Sequence, residues 1–163
     1  MSVHSPAMYV KQRVRYLLLA LSLCLAPVVQ AQVQVQANPD HEQLLASADS
    51  RVAANKRLVY DFWREVFEGG HTELAVQHNP NVPTGRAAFV DFFSKLVKRK
   101  PIEPRIKAPS VAIAAEGDLV VLRFVREAAD PKAPTKKYTT TWPVMFRVEG
   151  GKLAEHWDGA SKQ

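Results

Sequence analysis

The spacing of apolar residues in this chain changes once, at Pro101 and Pro104, and that change restricts the fold more than any other feature. Before it the period is helical. Val59, Phe62, Trp63, Val66 and Phe67 fall at i, i+3, i+4, i+7 and i+8 within 40–68, a broad stripe suited to burying one helix face. Small polar residues at 47–50 predict a break in this run, and Gly69-Gly70 ends it, because glycine readily supplies the left-handed cap. A second helix is expected over 85–98, with Thr84 as its N-cap and Phe89, Phe92, Phe93, Leu96 and Val97 at the same spacing. After Pro104 the period is two. Strands are expected near 105–115, 119–128, 136–148 and 152–158, with tight turns at Glu116-Gly117-Asp118 and Glu149-Gly150-Gly151. A longer loop is expected over 129–135, around Pro131 and Pro134. Helices followed by an antiparallel meander give an α+β fold, with helices packed on one face of a curved sheet. Such an arrangement commonly leaves a pocket between the layers.

The N-terminal stretch carries a different signal. Lys11, Arg13 and Arg15 precede an apolar run over 16–26, and no acidic residue occurs before Asp40. That run is too short to serve as a membrane anchor, and Val29-Gln30-Ala31 puts small residues at the positions read by a signal peptidase. Residues 1–31 therefore predict a cleavable signal peptide, an exported protein (periplasmic or secreted), and no stable membrane anchor after cleavage. Cys24, the only cysteine, lies inside this segment behind Leu23, where a lipid anchor would need a small residue. A chain cut after Ala31 would have neither disulfide nor thiol nucleophile. Three of the 22 Lys and Arg residues also belong to this segment, so half of the +6 formal charge leaves with it. Residues 32–49 are expected to form a mobile linker and the start of the first helix, and 50–160 a single domain. The basic run 95–100 is expected to be a solvated helix end whose cations suit the helix dipole. No nucleic-acid-binding motif accompanies it, so nucleic acid is not an expected partner.

The last hairpin carries the most chemical information. With a three-residue loop over 149–151, Phe146 would oppose Ala154, Val144 would oppose His156, and Trp142 would oppose Asp158. His156 and Asp158 would then share a largely apolar face, where burial pushes a carboxyl up in pKa unless the imidazole charges and pairs with it. Such a pair can move a proton near neutral pH. A two-residue Gly150-Gly151 turn would instead pair Glu149 with Lys152, turning Leu153, Glu155 and Trp157 to that face. Upstream, Gln77-His78-Asn79-Pro80-Asn81-Val82-Pro83 is a rigid loop whose His78 can lean into the pocket mouth. His71 reads as a helix-end residue, and His41 lies near the linker. The histidines and carboxylates have no metal-ligand spacing, and neither a glycine-rich phosphate loop nor a serine elbow occurs. No metal and no cofactor is expected.

These segments form a familiar series. It runs from Asn55-Lys56 to Val66-Phe67, through Gln77-His78-Asn79-Pro80, Gly85-Arg86 and the 115–120 turn, to 146–152 and Glu155-His156-Trp157-Asp158. Taken together, roughly 50–160 resembles the SnoaL-like (polyketide cyclase-like) branch of the nuclear transport factor 2-like superfamily. The resemblance implies a cone in which a bent antiparallel sheet and N-terminal helices enclose a pocket. It also implies cofactor-free acid/base chemistry of aldol, isomerisation or hydration type. Asp158 would be the working carboxylate, with His156 or His78 as its partner. Trp142, Phe146, Trp63, Phe89 and Trp157 would line the site for a small apolar carbonyl compound. The same scaffold also serves non-catalytic binding and accessory proteins, often as homodimers, so the fold leaves both readings open. This chain departs from the family in two places. It runs almost directly from Ala75 into Gln77-His78, and Pro143-Val144-Met145 stands where a polar group commonly faces the final carboxylate. Pro143 predicts an edge or bulge.

Overall fold

The computed structural model describes residues 34–77 and 85–158. The unit Met1–Val33, with the expected signal peptide and Cys24, lies outside the described residues, as do Thr84 and the loop bearing His78. Helices α1 (His41–Leu45) and α2 (Ser50–Phe62) are followed by a π-helical turn (Trp63–Glu68), a 3-10 segment (Thr72–Gln77) and α3 (Gly85–Leu96). Strands β1 (Ser110–Glu116), β2 (Leu119–Asp130), β3 (Ala133–Glu149) and β4 (Lys152–Asp158) form one antiparallel sheet in the order β1-β2-β3-β4. This is the expected α+β architecture. The expected break separates α1 from α2. Asp49 opens α2 by accepting hydrogen bonds from Arg51 N and Val52 N at 2.8 and 3.2 Å. Lys56 Nζ donates to Leu44 O and Ala46 O, closing the end of α1.

Alternation in the strands decides where the core lies. Val120, Leu122 and Phe124 of β2 and Val144, Phe146 and Val148 of β3 are buried, and they pack against Val59, Phe62, Trp63 and Val66. The helices therefore cover one face of the sheet. Burying each large apolar side chain in this layer contributes about 1.5–3 kcal/mol. Beyond Phe62 the helix widens. Gly69 N donates to Arg64 O at 3.0 Å, closing an i→i+5 ring, and His71 N reaches back six residues to Glu65 O at 3.0 Å. Wide turns of this type recur at functional sites, and this one carries Trp63, Val66 and Phe67 onto the sheet.

Three segments differ from the sequence-based expectation, each for a physical reason. Residues 105–109 are not strand. Their amides are taken by side chains instead: Ile106 N donates to Tyr60 Oη, Lys107 N to Glu68 Oε2 and Ala108 N to Glu68 Oε1. The 129–135 loop shrinks to a Pro131-Lys132 turn, with Asp130 opposite Ala133 and Lys132 N donating to Asp130 Oδ1. β2 and β3 there extend past the ends of β1 and β4, so Pro134 removes no bond from a neighbouring strand. Pro143 lies one residue past the Val144–Asp158 pair, the last pair of β3 with β4 among the described residues. The stretch expected to be a mobile linker is held at two points. Val35 N donates to Thr139 Oγ1 and Asn38 N to Ser110 O, both at 2.8 Å.

Candidate active site

The last hairpin combines elements of both expected registers. Gly150 and Gly151 have φ of 56° and 70°, a two-residue turn that pairs Glu149 with Lys152. A bulge between Arg147 and Val148 then leaves Ala154 as the extra residue on β4, next to Leu153 opposite Val148. From there Arg147 faces Glu155, Phe146 faces His156 and Val144 faces Asp158. One extra residue inverts the alternation of side chains. His156 and Asp158 thus lie on the helix-covered face, in a pairing two residues away from that of the three-residue loop. Both Leu153 and Ala154 are buried at the bulge.

His156 is embedded among aromatic rings. It stacks on Phe146 at 5.7 Å between centroids and 23° between planes, and Phe67 meets it edge-on at 6.0 Å. Phe146 in turn contacts Phe62, and Phe67 contacts Phe89, Phe93 and Trp63. Trp142 reaches the same layer through Trp63 at 6.4 Å. Trp63 is oriented by donation of its Nε1 proton to Glu68 Oε1 at 3.2 Å. Glu68 therefore ties the ring wall to the 107–108 backbone. The layer brings together His156, Phe146, Trp63, Phe89 and Trp142 from the sequence-derived set, with Asp158 exposed at the rim of the same face. Trp157 is placed differently. It pairs with Met145 on the outer face of the sheet and is 43% exposed.

Burial holds the His156 imidazole below its ordinary pKa, and the charge of Asp158 opposes that shift only in part. Near neutral pH the ring is neutral, with a lone pair available to accept a proton. A stability consequence follows from the direction of the shift. The folded state binds the His156 proton more weakly than the unfolded chain does, so the contribution is full above about pH 6.5. It is lost as pH falls from that value through the lower folded-state pKa. Thermal unfolding of His156→Phe across pH 5–7 is therefore expected to show a shallower acid-side loss than the parent protein, and equal slopes would contradict the buried, neutral ring.

Residues 64–156, more than half of the chain, match the SnoaL-like domain model. The chain belongs to the SnoaL-like domain family. Among solved structures it is similar to an inferred polyketide cyclase from Acidithiobacillus ferrooxidans, at 21% identity over 69% of this chain and 89% of that one, with a TM-score of 0.43. It is also similar to the IdmH 96–104 loop truncation variant, at 20% identity, 64% and 90% coverage and a TM-score of 0.42. TsrD from Streptomyces laurentii matches at 17% identity, 69% and 90% coverage and a TM-score of 0.40. No curated protein matches the chain significantly.

Two participants in this SnoaL-like site escaped the sequence reading. Phe67 appeared only as part of a helical stripe, yet it supplies the edge contact to His156. Glu68 was not singled out. It accepts from Trp63 Nε1, Lys107 N and Ala108 N. An acidic residue just before Gly-Gly was the available hint, since a carboxylate at a helix end next to unpaired backbone amides has obvious donors. Phe67 also borders a separate cleft of about 410 Å³ shared with Arg64, Glu68, Gly69 and Lys100.

Proposed function

We propose that this chain is an exported, cofactor-free acid/base domain acting on a small apolar carbonyl compound, with His156 as the base and Asp158 as its charged partner. One observation carries the reading. A neutral-held imidazole lies in an aromatic wall, with a carboxylate two residues along on the same face. His156 would take a proton from the carbon next to the carbonyl, leaving an enolate. The enolate then either forms a carbon–carbon bond to a second carbonyl, as in aldol closure, or regains the proton at another carbon, as in isomerisation. The imidazolium formed in the first step is stabilised by Asp158 and returns the proton to the alkoxide or carbon. His78, from the loop outside the described residues, remains the alternative partner. Phe146, Trp63, Phe89 and Trp142 supply the dry surroundings that strengthen the charge interaction, and Trp157 would contribute only from beyond the outer face.

The test is exchange of α-protons for deuterium in a panel of small cyclic ketones and dicarbonyls, followed by NMR. His156→Gln, which removes the base, is expected to slow exchange by about a thousandfold or more, and Asp158→Asn, which removes only its charged partner, by roughly a hundredfold with the fold intact. The wild-type rate should fall with acid through a midpoint below the ordinary histidine pKa. Undiminished exchange by His156→Gln would remove the imidazole from the mechanism.

A second reading is a non-catalytic binding or accessory domain working as a homodimer. It draws support from the tightness of the ring layer, where Phe62 and Phe146 are each only 1% exposed. It also draws support from the outer sheet face. There Ala114, Val121, Met145 and Trp157 stand directly side by side across all four strands, an apolar row with no covering layer among the described residues. Under this reading an apolar ligand raises the melting temperature with no exchange, and Asp158→Asn leaves ligand affinity nearly unchanged.

A further inference from the structure

Helix α3 is apolar on two sides. A helix that only closes a domain needs one apolar stripe. Phe89 and Phe93 provide it, stacking on each other at 4.4 Å and meeting Phe67. Phe92 and Leu96, one turn apart, face away from this layer and are 59% and 64% exposed, the largest values among the exposed large apolar side chains. Ala88, a turn earlier, is exposed as well.

The chain beside this ridge is cationic. Lys95 pairs with Asp91 and Arg99 with Glu73, each at 2.8 Å, so those four charges cancel. Lys98 and Lys100 are exposed and have no ion pair among the described residues. Their backbone is held in place. Lys100 N donates to Gly69 O at 2.7 Å, Lys100 O accepts from His71 Nε2 at 2.7 Å, and Lys98 O sits against Gly70. The unpaired cations are therefore kept at the end of the Phe92–Leu96 ridge.

We propose that α3 and the 97–100 segment dock the domain reversibly on an anionic lipid surface. Phe92 and Leu96 would enter the acyl boundary while Lys98 and Lys100 meet the headgroups. Each half of the patch needs the other for this partner. A nucleic acid would engage the lysines and leave Phe92 and Leu96 in water, whereas a neutral protein groove would cover the ridge and leave the lysines unmatched. An anionic bilayer satisfies both, and short basic amphipathic helices bind it in this way. No helix among the described residues is long and apolar enough to cross a membrane, so the contact proposed is with the surface. This inference rests on α3 and the 97–100 segment and stands whatever chemistry His156 performs.

The test uses the full chain with vesicles of phosphatidylcholine, either alone or with about 30 mol % phosphatidylglycerol. Sedimentation is expected to show partition at least tenfold higher to the anionic vesicles, weakened by salt. Phe92→Ser with Leu96→Ser should lower it roughly tenfold. Lys98→Gln with Lys100→Gln should lower it on the order of twentyfold, about fivefold per cation. All four side chains are exposed, so both variants should keep the wild-type melting temperature. Amide exchange over 88–100 is read in parallel, because it reports this patch even where the N-terminal apolar run also holds the chain to lipid. Slowing there with anionic vesicles alone supports the proposal. Equal slowing with both vesicle types, or none, overturns it. So does slowing with protein concentration in the absence of lipid, which assigns the ridge to self-association. Duplex DNA binding that survives Phe92→Ser with Leu96→Ser, without anionic vesicle binding, assigns the lysines to a polyanion and likewise overturns it.

Discussion

Phe146→Ala is expected to lower the free energy of unfolding by about 3–5 kcal/mol, the range for emptying a phenylalanine site that cannot collapse. The site cannot collapse because it is pinned on every side. Phe146 is paired with Val120 on one strand and His156 on the other, so both ladders fix its backbone. Phe62 stands edge-on to the ring at 6.0 Å and is itself packed against Phe67 and Phe89. Urea unfolding measures the loss, and a change below about 1 kcal/mol would mean that the ring layer is not packed as described. The vacated space lies beside His156 and is lined by apolar groups. Such a cavity takes up small aromatic molecules rather than water, so benzene or indole is expected to recover part of the lost melting temperature by mass action.

Periodicity located the two layers, although it also made residues 105–109 resemble a strand and counted the exposed Phe92 and Leu96 in a helical stripe. The change from a helical to a two-residue period at Pro101 and Pro104 separates the layers, and the stripe Val59–Phe62–Trp63–Val66 is buried as its spacing requires. The placement of His156 was legible only as a choice of face. A bulge at Ala154 decides it, and alternation cannot reveal a bulge whose extra residue is alanine, small enough for either side. The same bulge is why Trp157 faces outward with Met145. Residues 105–109 alternate like a strand, yet the amides of 106–108 are satisfied by Tyr60 and Glu68, which come from 39 or more residues earlier. Long-range side-chain acceptors of that kind leave no local pattern. Asp130-Pro131 looked like the start of a loop because proline is costly inside a sheet. Pro131 lies in the turn itself, outside both strands, so it removes no ladder bond.

Gly70→Ala is expected to destabilise the domain by about 3 kcal/mol or more, whereas Gly150→Ala should cost only about 1 kcal/mol. Both glycines have positive φ, 71° and 56°, so both substitutions carry the same left-handed penalty. Their surroundings separate them. A Cβ on Gly150 meets nothing within 4 Å, but one on Gly70 would lie 2.5 Å from Lys98 O and 2.7 Å from Lys98 C. Those are backbone atoms, and Lys100 N, bonded to Gly69 O at 2.7 Å, holds them in place. Relief therefore requires the 98–100 segment to move off the π turn, breaking that bond and the contact of His71 with Lys100 O. The consequence reaches both surfaces of α3. The turn that presents Phe67 to His156 loses its outer support, and the lysines beside Phe92 and Leu96 lose their fixed position. Equilibrium unfolding of the two variants side by side measures the contrast. Equal destabilisation would show that the 98–100 backbone yields freely, and that Gly69-Gly70 serves only as the helix end its sequence suggests.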